Sequence, residues 1–232
     1  DYSFHRFRTS LFQKAYVLPR RWLEFVAMPT RLRGLIAAPF TPFHPDGSLN
    51  LSLVPALAER LAKQNVTGAF VCGTTGEGAS LTTRERQEVA ACWRTEKPDS
   101  LKLIVHVGTN CIGDSQELAR HAQKIGADAI AAIAPCFFRP ATAADLVAWC
   151  ADIANSAPEL PFYYYHMPAM TGVNVAMADF LPLAAEQIPT FRGIKFTHEN
   201  LMDYTRTLAA AGDRFDILFG RDEILLAALV LG

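Results

Sequence analysis

The stretch Leu101–Ala134 reads LKLIVHVGTNCIGDSQELARHAQKIGADAIAAIA and holds one strand–helix–strand unit. Leu101–Val107 is a continuous apolar run rather than an alternating one, as expected of a parallel strand covered on both faces. Asp114-x-x-Glu117 is an acidic relative of the capping box and predicts a helix start there. Leu118, Ala122 and Ile125 then share one face, and Gly126 stands where the helix should stop. Ala129–Ala134 is the next buried strand.

The same grammar repeats on either side. Apolar or β-branched runs recur at Gly34–Phe40, Gly68–Cys72, Phe162–His166, Gly193–Phe196 and Ile217–Phe219. Amphipathic stretches separate them: Leu53, Leu57 and Leu61 line one face, and Val89, Cys92 and Trp93 another. Thr82-x-x-Glu85 and Thr142-x-x-Asp145 read as capping boxes, and Gly212 as a helix stop. Repeated strand and helix signals predict an α/β fold with a parallel sheet. Even spacing favours a (β/α)8 TIM barrel over an open doubly wound sheet, and no G-x-G-x-x-G follows the first strand. Seven strands are read up to Gly232, so the barrel is expected to be truncated after its seventh βα unit.

Composition bounds the function. The chain has 232 residues, 22 Lys+Arg against 23 Asp+Glu, and is 50% apolar with 19% charged residues. The charged share lies below the roughly 25% of an average globular chain, which supports one sizeable core and excludes extensive disorder. Near-neutral charge gives no reason to expect a nucleic acid or an anionic membrane as partner. No run approaches the ~18 uncharged apolar residues of a membrane helix. The five cysteines form no C-x-x-C pair, which suits a reducing, cytoplasmic compartment. The histidines show no metal-ligand spacing, so no metal is expected. Residues 1–33 carry seven basic and two acidic residues. They read as an N-terminal extension outside the fold: a disordered or artefactual segment ahead of Met28, or an Arg-rich transit peptide.

In a barrel the chemistry sits at the C-terminal ends of strands. After the second strand comes Gly73-Thr74-Thr75-Gly76-Glu77-Gly78, whose glycines, N–H groups and hydroxyls form an anion cradle or an ordinary tight turn. In Phe162–His166, alternation sends Tyr163 and Tyr165 to one face and Tyr164 to the other. Tyr165, nearest the strand end, offers a phenol for proton relay or packs as core. Of six lysines, Lys195 alone lies late in an apolar strand. Lysine is rarely buried without reason, and desolvation disfavours its charge. A neutral amine in a pocket is a Schiff-base nucleophile, the alternative being a buried ion pair. Amine, phenol and cradle together describe a lysine aldolase.

Gly73-Thr74-Thr75-Gly76-Glu77, Tyr165-x-x-Pro168-x-x-x-Gly172 and Lys195 resemble the signature of the N-acetylneuraminate lyase and dihydrodipicolinate synthase family. The likeness runs from about Gly34 to Gly232. It implies a (β/α)8 barrel, class I aldolase chemistry on pyruvate, a homotetramer, and neither metal nor external cofactor. Met170 stands where the synthase branch has a carboxylate-binding Arg. Phe219-Gly220-Arg221-Asp222-Glu223 is similar to the lyase branch, which implies sugar contacts for Gly220, Asp222 and Glu223; helix capping is the other reading of Asp222. By the same resemblance, Lys195 forms the imine with N-acetylneuraminate and Thr74 and Thr75 hold its carboxylate. Tyr165 moves the C4 hydroxyl proton, Thr197 binds the intermediate or sugar, and N-acetylmannosamine and pyruvate leave. The loop Pro135-Cys136-Phe137-Phe138 has Phe where many relatives carry a Tyr that joins a proton relay between subunits. Two other readings stay open: a non-catalytic form that pairs with intact subunits, and a lyase for another 2-keto acid.

Overall fold

The computed structural model describes residues 31–232. The expectation for the extension falls, over residues 1–30, outside the described residues. Seven parallel strands lie in sequential order: β1 (Ile36–Ala37), β2 (Gly68–Val71), β3 (Lys102–His106), β4 (Ala129–Ile133), β5 (Phe162–His166), β6 (Phe191–Phe196) and β7 (Asp216–Phe219). Helices α1 (Val54–Lys63), α2 (Thr83–Glu96), α3 (Ile112–Lys124), α4 (Ala143–Ala154), α5 (Pro168–Thr171), α6 (Met177–Gln187), α7 (Leu201–Ala211) and α8 (Leu225–Leu231) follow the strands. The sheet curls into an open TIM-barrel wall, and β1 and β7 are each paired on one side.

Strand alternation builds two cores. The outward side chains, among them Leu103, Ile130, Tyr164 and Phe196, pack beneath the helices with Trp93, Leu118 and Phe180. The inward ones, Phe70, Ile104, Ala129, Ala131, Tyr163 and Tyr165, form a smaller cluster inside the wall. The split of Tyr163 and Tyr165 from Tyr164 thus follows the two-residue period of the strand.

Both Thr boxes form. Thr82 accepts from the Glu85 N–H while Glu85 takes the Thr82 N–H, and Thr142 and Asp145 do the same. The start signalled at Asp114 is displaced: Cys111 is the cap of α3, and Asp114 falls inside its first turn. Thr109 turns the chain ahead of the helix, since its hydroxyl accepts the Cys111 N–H at 2.9 Å, and the cap falls three residues before Asp114. β1 is also shorter than the Gly34–Phe40 run. Pro39 has no N–H for a ladder, and Gly34 has a left-handed φ of 86°.

At the N-terminal end of β7, Asp216 is buried and accepts from Tyr163 Oη at 2.8 Å, Arg31 Nε at 2.8 Å and the Leu32 N–H at 3.0 Å. This closes the floor of the wall. Burial, then the Asp216 charge, pushes the Tyr163 phenol up, so it stays a donor to that carboxylate.

On the outer face His166 is 1% exposed, and neither ring nitrogen has a partner among the described residues. Burial, and secondarily His198, pushes its pKa from 6.5 down to about 3. The unfolded chain therefore binds a proton that the folded chain refuses between those values. Stability is expected to fall as pH drops from about 6.5 toward 3, with a slope of up to ~1.4 kcal/mol per pH unit from this one group. Urea denaturation of the wild type and His166→Asn at pH 7, 5 and 4 checks this; parallel pH dependences would remove His166 as the cause.

Candidate active site

An open cavity of about 730 Å³ runs along the inner face of the wall, from Leu32 and Tyr163 to its C-terminal mouth. Lys195, Tyr165, Thr74, Thr75, Thr197, Gly220, Asp222 and Glu223 all line it. Side chains from β2, β5, β6 and β7 and their following loops are thereby brought together, although the sequence separates them by up to about 150 positions.

Lys195 points inward from β6, in register with Tyr165 on β5. Its Nζ stands 3.7 Å from the Tyr165 ring centroid and 4.5 Å from that of Phe70. Ring faces attract an amine cation at such distances. The side chain is half-buried, not enclosed as the strand pattern alone suggests. Among the described residues no carboxylate pairs with it, so the buried ion pair does not form.

The Tyr165 hydroxyl lies 3.2 Å from Thr74 Oγ1 and 3.2 Å from Met167 Sδ. Thr74 belongs to the turn after β2. That turn holds two non-glycine residues in the left-handed region, Cys72 at φ 57° and Glu77 at φ 54°. It folds so tightly that a Cβ on Gly78 would come within 1.9 Å of the Cys72 carbonyl oxygen, so only glycine fits. Thr41, after β1, donates to the Gly76 carbonyl at 2.7 Å and fixes the far side. Thr74 and Thr75 remain exposed at the cavity, where N–H and hydroxyl groups together can receive a carboxylate.

Thr197 is buried and its Oγ1 has no hydrogen-bond partner among the described residues. A Cβ at Gly220 would meet that oxygen at 2.4 Å and Lys195 Cε at 3.3 Å. The glycine therefore keeps open the space around both groups. Asp222 and Glu223 begin a single 3-10 turn and are exposed. Asp222 does not cap it: Arg221 occupies the cap position and no side-chain cap bond forms. Arg221 pairs with Glu199 and lies 3.6 Å from Glu223 Oε2, which steadies the turn against β6's loop.

Sequence reading missed Met167, Phe70 and Arg221, all of which line the cavity. Phe70 carried a signal, since β2 alternation puts it on the inner face. The placement of Met167 depends on the turn after β5, which no local pattern reveals. Among the described residues no three His, Cys, Asp or Glu side chains are grouped to hold a metal ion, and no helix is long and apolar enough to cross a membrane.

A barrel wall with a strand lysine, a phenol and a Gly-Thr-Thr turn defines a class of protein. The profile of the dihydrodipicolinate synthetase family matches residues 31–232, and the chain belongs to that family. Within it, the chain is 48% identical over 205 residues to the N-acetylneuraminate lyase of Danio rerio, covering 87% of this chain and 67% of that one. It is 45% identical to the Homo sapiens N-acetylneuraminate lyase, covering 87% and 64%. The N-acetylneuraminate lyase structure of Proteus mirabilis superposes with a TM-score of 0.85 at 44% identity, over 88% of this chain and 68% of that one. An Aquifex aeolicus dihydrodipicolinate synthase superposes with a TM-score of 0.81 at only 25% identity. The chain thus spans about two thirds of the length of these relatives.

Proposed function

We propose that this chain carries the chemistry of a class I aldolase that cleaves N-acetylneuraminate to N-acetylmannosamine and pyruvate. The observation that carries the reading is the convergence at one cavity mouth: Lys195 Nζ lies 3.7 Å above the Tyr165 ring, whose hydroxyl lies 3.2 Å from Thr74 Oγ1. The high identity to N-acetylneuraminate lyases supports that substrate over a synthase's. Met170, two residues beyond Pro168, offers no charge to a second carboxylate.

The proposed steps use each of these groups in turn. The Lys195 amine adds to the C2 ketone of the open-chain sugar acid, water leaves, and the resulting iminium withdraws electrons. Thr74 and Thr75 hold the C1 carboxylate through N–H and hydroxyl groups. Tyr165 takes the C4 hydroxyl proton and passes its own phenol proton to that carboxylate as the C3–C4 bond breaks; the electron pair passes into an enamine, and C4 becomes the aldehyde of N-acetylmannosamine. The enamine takes a proton at C3, and water releases pyruvate and the free lysine. Thr197, Gly220, Asp222 and Glu223 face the sugar's hydroxyl end. Carboxylates there accept hydrogen bonds from several hydroxyls at once. Phe137 and Phe138, exposed and packed edge to face at 5.0 Å, offer apolar surface suited to a subunit contact in a homotetramer.

Incubation with pyruvate, reduction with borohydride and peptide mass spectrometry test the reading. It expects a single stable adduct on Lys195, and release of pyruvate from N-acetylneuraminate. Folded protein that gives no adduct would overturn it. An adduct with cleavage of simpler keto acids only would shift the substrate but keep the chemistry.

A further inference from the structure

His106, at the C-terminal end of β3, is 6% exposed and points to the inner face, as Ile104 does two residues before it. It is absent from the cavity lining, yet it touches both parts of the site. Its ring packs edge-on against Tyr165 at 5.7 Å and tilted by 33° against Phe70 at 5.9 Å, and Phe70 meets Tyr165 edge-on at 5.3 Å. These three rings form one cluster, and two of them are the rings beneath the Lys195 amine.

The other half of His106 reaches the cradle. Its Nδ1 lies 2.9 Å from the carbonyl oxygen of Cys72. A carbonyl only accepts, so Nδ1 carries the proton and donates there; Arg86 Nη2, 3.3 Å from Nδ1, is itself a donor and is taken up by the His106 carbonyl at 2.6 Å. Cys72 is the left-handed residue from which the Gly73–Gly78 turn departs, and a Cβ at Gly78 would run into the same carbonyl. Behind, the buried Arg86 donates to the His106 carbonyl at 2.6 Å and to the Gly108 carbonyl at 3.1 Å, which fixes the strand end. Burial, then the Arg86 charge, holds the imidazole well below its usual range, so it stays neutral with that single proton.

We infer that His106 is a positioning residue that couples the aromatic seat of the lysine and the phenol to the height of the Thr74–Thr75 cradle. One edge of the ring sets the tilt of Tyr165, and the Nδ1 proton sets the Cys72 carbonyl from which the cradle is hung. The inference rests on the aldolase reading of the same cavity. It goes beyond that reading in assigning two separable effects to a residue that does not touch substrate.

Two substitutions separate them. His106→Asn keeps an N–H donor near the Nδ1 position but loses the ring; His106→Phe keeps a ring but loses the donor. The readouts are the pyruvate concentration giving half-maximal borohydride trapping at Lys195, and the rate of N-acetylneuraminate cleavage at saturation. With His106→Phe the half-saturating pyruvate concentration is expected to rise about tenfold or more, because a misplaced cradle weakens carboxylate binding. With His106→Asn that concentration should stay within ~3-fold of wild type while the cleavage rate falls about tenfold or more. Only folded protein, matched to wild type by circular dichroism, enters the comparison. If both folded variants show wild-type half-saturation and cleavage, or change both quantities alike, the coupling is overturned. Absence of trapping in the wild type would instead remove the aldolase reading itself, so the two failures are distinct.

Discussion

Lys195→Met is expected to abolish pyruvate trapping and to lower cleavage by about 10⁴-fold or more, the scale seen when a covalent nucleophile is removed. The protein should nonetheless fold. Lys195 makes no ion pair among the described residues, so its removal strands no buried carboxylate, the usual origin of a large loss. The loss of its approach to the Tyr165 and Phe70 faces costs about 0.5–1 kcal/mol. Methionine has a similar length, and its sulfur against the same rings returns ~0.3–1.5 kcal/mol. The two contributions nearly cancel, and the thermal midpoint should move by only a few degrees. Mass spectrometry after borohydride reduction, thermal melts and a pyruvate-release assay make the three checks. An adduct retained on another lysine in the variant would place the imine elsewhere.

Much of this site was legible in the sequence because it is written in local periods. The two-residue alternation of Phe162–His166 was enough to send Tyr165 inward with Lys195 of β6, and the register pairs those two residues. The Thr82 and Thr142 boxes fixed two helix starts, since their bonds close within three residues. What escaped depends on partners distant in sequence. Asp216 reads as an ordinary polar residue at a strand edge, but Tyr163 and Arg31 converge on it across 53 and 185 positions. Met167 reads as an apolar residue after a strand, and only the turn before α5 carries its sulfur to the Tyr165 hydroxyl. Thr109 displaced the α3 start from Asp114 because a hydroxyl–amide bond two residues long outcompetes an acidic preference in the first turn. The half-burial of Lys195 was likewise hidden: strand apolarity reports neighbours along the chain, whereas exposure here is set by the cavity that the side chain lines.

Tyr165→Phe should separate imine formation from carbon–carbon cleavage. The substitution keeps the ring face 3.7 Å from Lys195 Nζ and the edge contacts to Phe70 and His106, so the amine's surroundings change little. What disappears is the hydroxyl, with its contacts to Thr74 Oγ1 and Met167 Sδ. Thr74 can still donate to Met167 Sδ at 3.5 Å, so the cradle retains a tether. Tyr165 is buried but its partner Thr74 is exposed to water, so losing the hydroxyl strands no buried group and costs stability only ~0.5–1.5 kcal/mol. Pyruvate trapping at Lys195 should therefore stay within about threefold of wild type. Cleavage should fall by ~10²–10⁴, the range for loss of a positioned general acid–base group, because the C4 hydroxyl proton loses the phenol that carries it toward the carboxylate. Trapping and cleavage measured on the same preparation give the decisive ratio. Equal losses in both would mean that the phenol acts before the bond breaks, in forming the imine. Unchanged cleavage would mean that the substrate's own carboxylate takes the proton unaided, and the phenol's place beside Thr74 would then be one of binding.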